Sequence, residues 1–171
     1  MNTLSRLRRD LRLKGYDYSQ AGAYFVTVCT HNRMCLLAAV DDAEMRLSEI
    51  GRSVELCWKE SPKHFPVVLD QWLVMSNHLH GIIIIADETP FGALRPALGA
   101  IVGAFKSAAT KCVNQRRRAP GAPLWQRNFY EHVIRNEADL HRVRQYIVDN
   151  PIRWAEDPEN PNAISSRRRA D

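Results

Sequence analysis

An α+β fold of the ferredoxin-like kind, an antiparallel sheet with helices on one face, is what this sequence of 171 residues predicts. Three observations carry that prediction. Segments rich in aromatic and β-branched residues alternate with stretches whose apolar positions recur at helical intervals. Their order, strand, helix, strand, strand, helix, strand, matches the split β-α-β arrangement, and one further helix closes the series. At 45% hydrophobic residues the chain can bury a core of its own, so it needs neither disulfides nor a structural metal.

The first strand is read over 24–31, YFVTVCTH, and the following NRMCLLAAV is read as its hairpin partner. Residues 42–60 bring Met45, Ile50, Val54 and Cys57 or Trp58 round at helical spacing, which predicts a helix in spite of Gly51, ended by SPKHFP. VVLDQWLVM and HLHGIIII, between 67 and 85, flank the polar pair Ser76 and Asn77. They predict a hairpin, or one long strand with a turn in it, and the isoleucine run predicts a central place in the sheet. ADETPFGALRP reads as a loop. Over 97–116, Ile101, Val102, Phe105, Ala109 and Val113 trace one side of a helix, and RRAPGAP is the basic loop after it. LWQRNFYEHVIR, 124–135, predicts the last strand. Asn136, with Asp139 three residues on, resembles a capping box in which Asp replaces Glu. The helix it opens is expected to run to about Asp149, where Pro151 stops it.

The formal net charge of +5 is gathered in clusters: Arg6, Arg8, Arg9, Arg12 and Lys14 near the start, Arg116, Arg117 and Arg118 in the middle, and Arg167, Arg168 and Arg169 at the end. Such clusters either meet a phosphate backbone, releasing its condensed counterions, or serve as solvated tails. Cys29, Cys35, Cys57 and Cys112 form no CxxC pair and read as buried thiols in a reducing compartment. MNTLSRLRRDLRLKG leads into no apolar segment, and no stretch is long enough to cross a bilayer, so a cytoplasmic protein with no membrane partner is expected. The organisation predicted is a basic arm over 1–15, one folded domain over 16–154, and an irregular basic tail over 155–171.

Chemistry enters in the stretch WLVMSNHLHGIIII, 72–85. On a strand His78 and His80 project from one face while Leu79 enters the opposite layer. Two neutral imidazoles side by side either make half of a divalent-metal site, with a third ligand due from elsewhere, or cap the turn after Met75, Ser76 and Asn77. Tyr146 and Asn150, four apart on the last helix, share a face. A phenol is a feeble nucleophile at its free pKa of about 10, but it can attack a phosphodiester whose oxygen a metal holds, and Asn150 could supply the missing oxygen ligand. The plain structural readings are an amphipathic helix residue for Tyr146 and a helix cap for Asn150. Tyr130 is the rival nucleophile, in a strand pattern beside Phe129.

YFVTVCT, WLVMSNHLHGII, LGAIVGAFKSAAT and LWQRNFYEHVIRNEADLHRVRQYIVDNP resemble the REP-associated tyrosine transposases, relatives of the single-tyrosine HUH transposases, over most of residues 16–154. The resemblance implies that His78 and His80 are metal ligands, that Asn150 is the ligand from the tyrosine-bearing helix, and that Tyr146 is the nucleophile. It further implies a metal-dependent single-stranded DNA endonuclease and strand transferase using Mg²⁺ or Mn²⁺. Such an enzyme leaves a 5′-phosphotyrosine and a free 3′-hydroxyl on hairpin-forming repetitive DNA. Lys106 falls in a triplet, FKS, that the family carries, and is expected to meet phosphate or assist the leaving oxygen. Arg127, Arg135, Arg142 and Arg144 flank the expected site, while the N-terminal arm and Arg116 to Arg118 would clamp the hairpin. Trp125 and Trp154 are candidates for stacking on unpaired bases or, for Trp125, for core packing. His132 reads as a structural partner of the last helix and His141 as a surface residue. A homodimer and a monomer both fit. Two other functions compete: a non-catalytic structured-DNA-binding protein of the same fold, which the intact trio His78, His80 and Tyr146 argues against, and a replication-initiation endonuclease, which the small size argues against.

Overall fold

The structure is a computed structural model that describes residues 15–41, 44–87, 95–156 and 160–161. The N-terminal arm with Arg6, Arg8, Arg9, Arg12 and Lys14, and the arginines at 167 to 169, lie outside the described residues. In chain order the elements are β1 (Gly22–Cys29), β2 (Ala38–Asp41), β3 (Glu44–Leu47), α1 (Glu49–Lys59), α2 (Ser61–His64), β4 (Val67–Val74), β5 (His78–Ile85), α3 (Leu98–Arg116), β6 (Tyr130–Ile134) and α4 (Glu137–Asp149). Strands β4, β5, β1 and β6 lie side by side in that order, every neighbouring pair antiparallel. This is the expected ferredoxin-like arrangement, with the isoleucine-rich β5 in its interior.

Alternation along the strands divides two layers. Tyr24, Val26 and Val28 of β1 and Leu79, Ile83 and Ile85 of β5 pack with α1 and α3 through Val54, Trp58, Ile101, Phe105 and Val113. Phe25, Ile82 and Ile134 point the other way and meet Val143 and Ile147 of α4. Two glycines mark where backbones approach too closely for a side chain. A Cβ on Gly81 would stand 2.4 Å from the Trp58 ring, and one on Gly51 would stand 1.9 Å from the Leu37 carbonyl oxygen. The second explains a glycine inside a helix.

Strand β4 carries a bulge. Leu69 pairs with Ile83 and Trp72 with Gly81, so three steps on β4 match two on β5. Leu69 and Trp72 thereby both reach the α1/α3 core.

Four expectations need correction. The helix predicted from residue 42 starts at Glu49, because Ser48 caps it: its hydroxyl accepts from the Gly51 amide at 3.0 Å and donates to the Leu36 carbonyl at 2.7 Å. Met45 stands in β3, which pairs with β2 in a separate ribbon. NRMCLLAAV is therefore no partner of β1; it turns at Asn32 and Arg33, both at positive φ (52° and 55°), before entering β2. The last strand is shorter than 124–135, since Leu124 and Trp125 are drawn into the core and the Gln126 amide donates to the Cys29 carbonyl at 2.9 Å. Of the four free thiols, Cys35 is exposed and the others are only half-buried. No helix among the described residues is long and apolar enough to cross a membrane.

Candidate active site

Both histidines of β5 point into the α4 layer and are buried. Their Nε2 atoms lie 3.0 Å apart. Each ring is held from behind by its Nδ1, at 2.8 Å from Asn77 Oδ1 for His78 and at 2.8 Å from Thr27 Oγ1 for His80. The Asn77 contact has one sense only. Its Nδ2 donates to the Arg33 carbonyl at 3.1 Å, so Oδ1 must accept from His78 Nδ1–H, and Nε2 of His78 carries the lone pair. The Thr27 hydroxyl can donate or accept, which leaves His80 two tautomers. In one, His80 Nε2–H donates to His78; in the other, His80 Nδ1–H donates to Thr27 and two lone pairs converge, an arrangement that calls for a cation. Two nitrogens at about 2.1 Å from an octahedral ion, at right angles, stand about 3.0 Å apart. The residues present fit a divalent metal.

Helix α4 and the turn that follows it bring further groups. The Tyr146 ring lies 5.3 Å from the His80 ring and 5.9 Å from that of Phe25, and the Trp154 ring lies 5.9 Å from that of His78. Asn136 caps the helix by accepting from the Asp139 amide at 2.8 Å, as its spacing predicts. Asn150, between Tyr146 and Trp154 in four-residue steps, is 2% exposed, and its Oδ1 finds no hydrogen-bond donor among the described residues. A buried acceptor left so costs about 1–3 kcal/mol, which a cation would offset. No group of three or more His, Cys, Asp or Glu side chains among the described residues could hold a metal. Of those side-chain types the site offers the two imidazoles, both neutral in the tautomers described. Tyr130 shares this face, but it pairs across β1 with Thr27, which stands between it and His80.

No family model matches the chain. An uncharacterized protein of Haemophilus influenzae is 37% identical, over 88% of this chain and 91% of that protein. A second H. influenzae protein, described provisionally as a REP-associated tyrosine transposase, is 23% identical over 80% of this chain and 74% of its own length. The REP-associated tyrosine transposase of Escherichia coli is 25% identical over 80% of this chain and 70% of that protein. A solved REP-associated tyrosine transposase bound to a REP hairpin shares the fold, with a TM-score of 0.60 and 22% identity over 84% of this chain and 73% of that one. The chain is thus similar in sequence and in fold to REP-associated tyrosine transposases. The names of these relatives support a DNA-processing enzyme.

The remaining expected residues are distributed unevenly. Lys106 donates two of its Nζ protons, to the Gln126 carbonyl at 2.7 Å and the Arg127 carbonyl at 2.9 Å, so it fastens α3 to the segment entering β6; burial lowers its pKa. Arg117 is likewise spent on the loop, donating to Asn114 Oδ1 at 2.8 Å and the Ala122 carbonyl at 3.3 Å. Arg116, Arg118, Arg127 and Arg135 are exposed. Arg142 is exposed and paired with Asp139, which also accepts from His132 Nε2 at 2.8 Å. Burial pushes the Asp139 carboxyl up, but the bonds from Arg142 and His132 outweigh it and hold it below the usual range. These groups line an open concavity of about 540 Å³ with Arg135 and Asn136. His141 is exposed. Trp125 offers no free face for a base: it is 7% exposed and packs on Phe105 at 5.7 Å. The supporting roles of Thr27 and Asn77 escaped the sequence reading. The available signal was, for Thr27, a polar residue at an inward position of an apolar strand.

Proposed function

We propose that this protein is a metal-dependent single-stranded DNA endonuclease and strand transferase, acting on hairpin-forming repetitive elements through a covalent 5′-phosphotyrosine. The observation that carries the reading is the Tyr146 ring 5.3 Å from His80, beside two Nε2 atoms 3.0 Å apart. His78, His80 and Asn150 would hold Mg²⁺ or Mn²⁺, the latter better matched to nitrogen ligands. When bound, the ion polarises the scissile phosphate and offsets charge in the transition state.

Every other step belongs to the chain's own groups. The Tyr146 hydroxyl oxygen attacks phosphorus; its bond to phosphorus forms as the bond from phosphorus to the 3′ oxygen breaks. The phenol proton leaves to solvent, and the departing 3′ oxygen takes one up. Because one phosphodiester is exchanged for another, the 3′-hydroxyl can attack in return and rejoin strands without ATP. Asn77 and Thr27 keep the two imidazoles from rotating, so the ligand geometry is set before DNA arrives. A neutral donor set grips a cation weakly, and substrate phosphate adds the missing charge, so ion and DNA are expected to bind cooperatively. Exposed Arg127, Arg135 and Arg142 suit backbone contacts, which position a strand without reading it. Trp154, half-buried beside His78, suits stacking on an unpaired base. The hairpin-bound relative of the same fold supports a hairpin partner.

The test is a denaturing gel with single-stranded oligonucleotides bearing hairpins from beside the gene. The wild type should form a covalent adduct with Mg²⁺ or Mn²⁺ and none with chelator. Tyr146→Phe should bind the oligonucleotide and form no adduct. An adduct in the presence of chelator sinks the metal assignment; an adduct lost in Tyr130→Phe but kept in Tyr146→Phe sinks the nucleophile assignment.

A further inference from the structure

Helix α4 rests on the sheet through an apolar ridge, Val143 and Ile147 on Phe25, Ile82 and Ile134. Apolar contact is non-directional, so this ridge holds the helix down without fixing its rotation about its own axis. At roughly 100° per residue, Tyr146 falls about 60° to one side of Val143 and Arg144 about 100° to the other. Whatever grips Arg144 therefore governs how far Tyr146 leans toward His80.

Arg144 is gripped on two points. Its Nε donates to Asp70 Oδ1 at 2.8 Å and its Nη2 to Asp70 Oδ2 at 2.6 Å, a fork-on-fork pair whose planarity specifies direction as well as distance. Asp70 is itself fixed, because it sits in the β4 bulge and its Oδ1 also accepts the Gln71 amide at 2.7 Å. The bulge thus turns a carboxylate toward α4 at the sheet edge farthest from β6. The hydrogen bond from Arg144 holds the Asp70 carboxyl below its ordinary range against the opposing effect of burial, so the pair stays charged at neutral pH. At its other end α4 is fastened to β6 by the bond between His132 and Asp139.

We infer that the Asp70–Arg144 pair is a positioning clamp that sets the roll of α4 and so the reach of Tyr146 to the histidine pair. The inference rests on the nickase reading. Its leverage is geometric: a roll of about 10° moves an atom about 6 Å from the helix axis by about 1 Å. A misplacement of that size costs on the order of 100-fold in rate. Its contribution to folding is small, about 0–1 kcal/mol, since the Arg144 side chain is 38% exposed and water can solvate it when the pair is broken. Rate and stability should therefore separate.

The experiment compares wild type with Asp70→Asn and Arg144→Lys in single-turnover adduct formation at saturating hairpin oligonucleotide and Mn²⁺. Oligonucleotide affinity, thermal unfolding and amide exchange of α4 are read on the same samples. The expected result is a rate lower by roughly 10- to 100-fold, affinity within about twofold, nearly unchanged unfolding, and faster exchange in α4 but not in β1 or β5. Lysine should not rescue, because it cannot make the fork. An unchanged rate overturns the clamp, as does a rate that falls in step with affinity and unfolding temperature. A wild type that forms no adduct removes the nickase reading; a wild type that does, with variants equally fast, removes the clamp alone.

Discussion

Replacing Thr27 by valine deletes one hydroxyl with almost no change of shape. Thr27 is 8% exposed, so water does not take the hydroxyl's place at His80 Nδ1. Without metal the lost bond is one between neutral groups, worth about 0.5–1.5 kcal/mol. With a cation on Nε2 the Nδ1–H becomes a charge-assisted donor, and the bond it makes to Thr27 is worth about 1.5–3 kcal/mol. The difference, about 1–1.5 kcal/mol, converts to roughly 5- to 12-fold weaker metal binding. The assay is a Mn²⁺ titration followed by electron paramagnetic resonance, with saturating hairpin oligonucleotide, alongside urea unfolding without metal. Thr27→Ser keeps the hydroxyl and should bind Mn²⁺ like the wild type. Equal Mn²⁺ affinity in the valine variant, or a serine variant as defective as valine, refutes the reasoning.

Asn150→Ala removes the buried oxygen that lacks a donor among the described residues, so Mn²⁺ affinity should drop by about 10-fold or more while unfolding without metal barely changes; parallel losses in both titrations would speak for a purely structural cap. Gly81→Ala drives a methyl to 2.4 Å from the Trp58 ring and should cost about 1–3 kcal/mol in urea unfolding, a penalty that Trp58→Phe in the same chain should relieve. Asp70 has a folded pKa below its unfolded value, so its pairing stabilises the fold above the ordinary carboxylate pKa of about 3.9 and loses that contribution as pH falls through the folded value. The small stability gap between wild type and Asp70→Asn, about 0–1 kcal/mol at neutral pH, should therefore close on acidification; a gap that widens below pH of about 4 contradicts the pairing.

The alternation of Phe25 and Val26, the hairpin around Ser76 and Asn77 and the helical spacing of Ile101, Phe105 and Ala109 were readable in the sequence, because each is a local pattern that burial on one side imposes. So was the pairing of His78 with His80, which needs only the two-residue repeat of a strand. Long-range closure was not readable. Whether Met45 lies in a helix or a strand depends on β2, and the Asp-Ala-Glu-Met run satisfies helical propensity until Ser48 caps the real start. Leu124 and Trp125 look like strand residues since the core that captures them asks for the same side chains. Asp70 reads as an interruption of a strand; only the bulge and a residue 74 positions later give it a partner.

Gly81 separates two worlds by the thickness of one peptide. On its near side stand the imidazoles; on its far side an indole is seated directly on bare main chain. Sliding β5 by a single residue would turn His80 into that indole and swing Leu79 out among the polar groups. The missing methyl therefore acts as a keyway: it admits the Trp58 key at one setting and at no other, and the strand that presents the two rings is locked against slippage from behind.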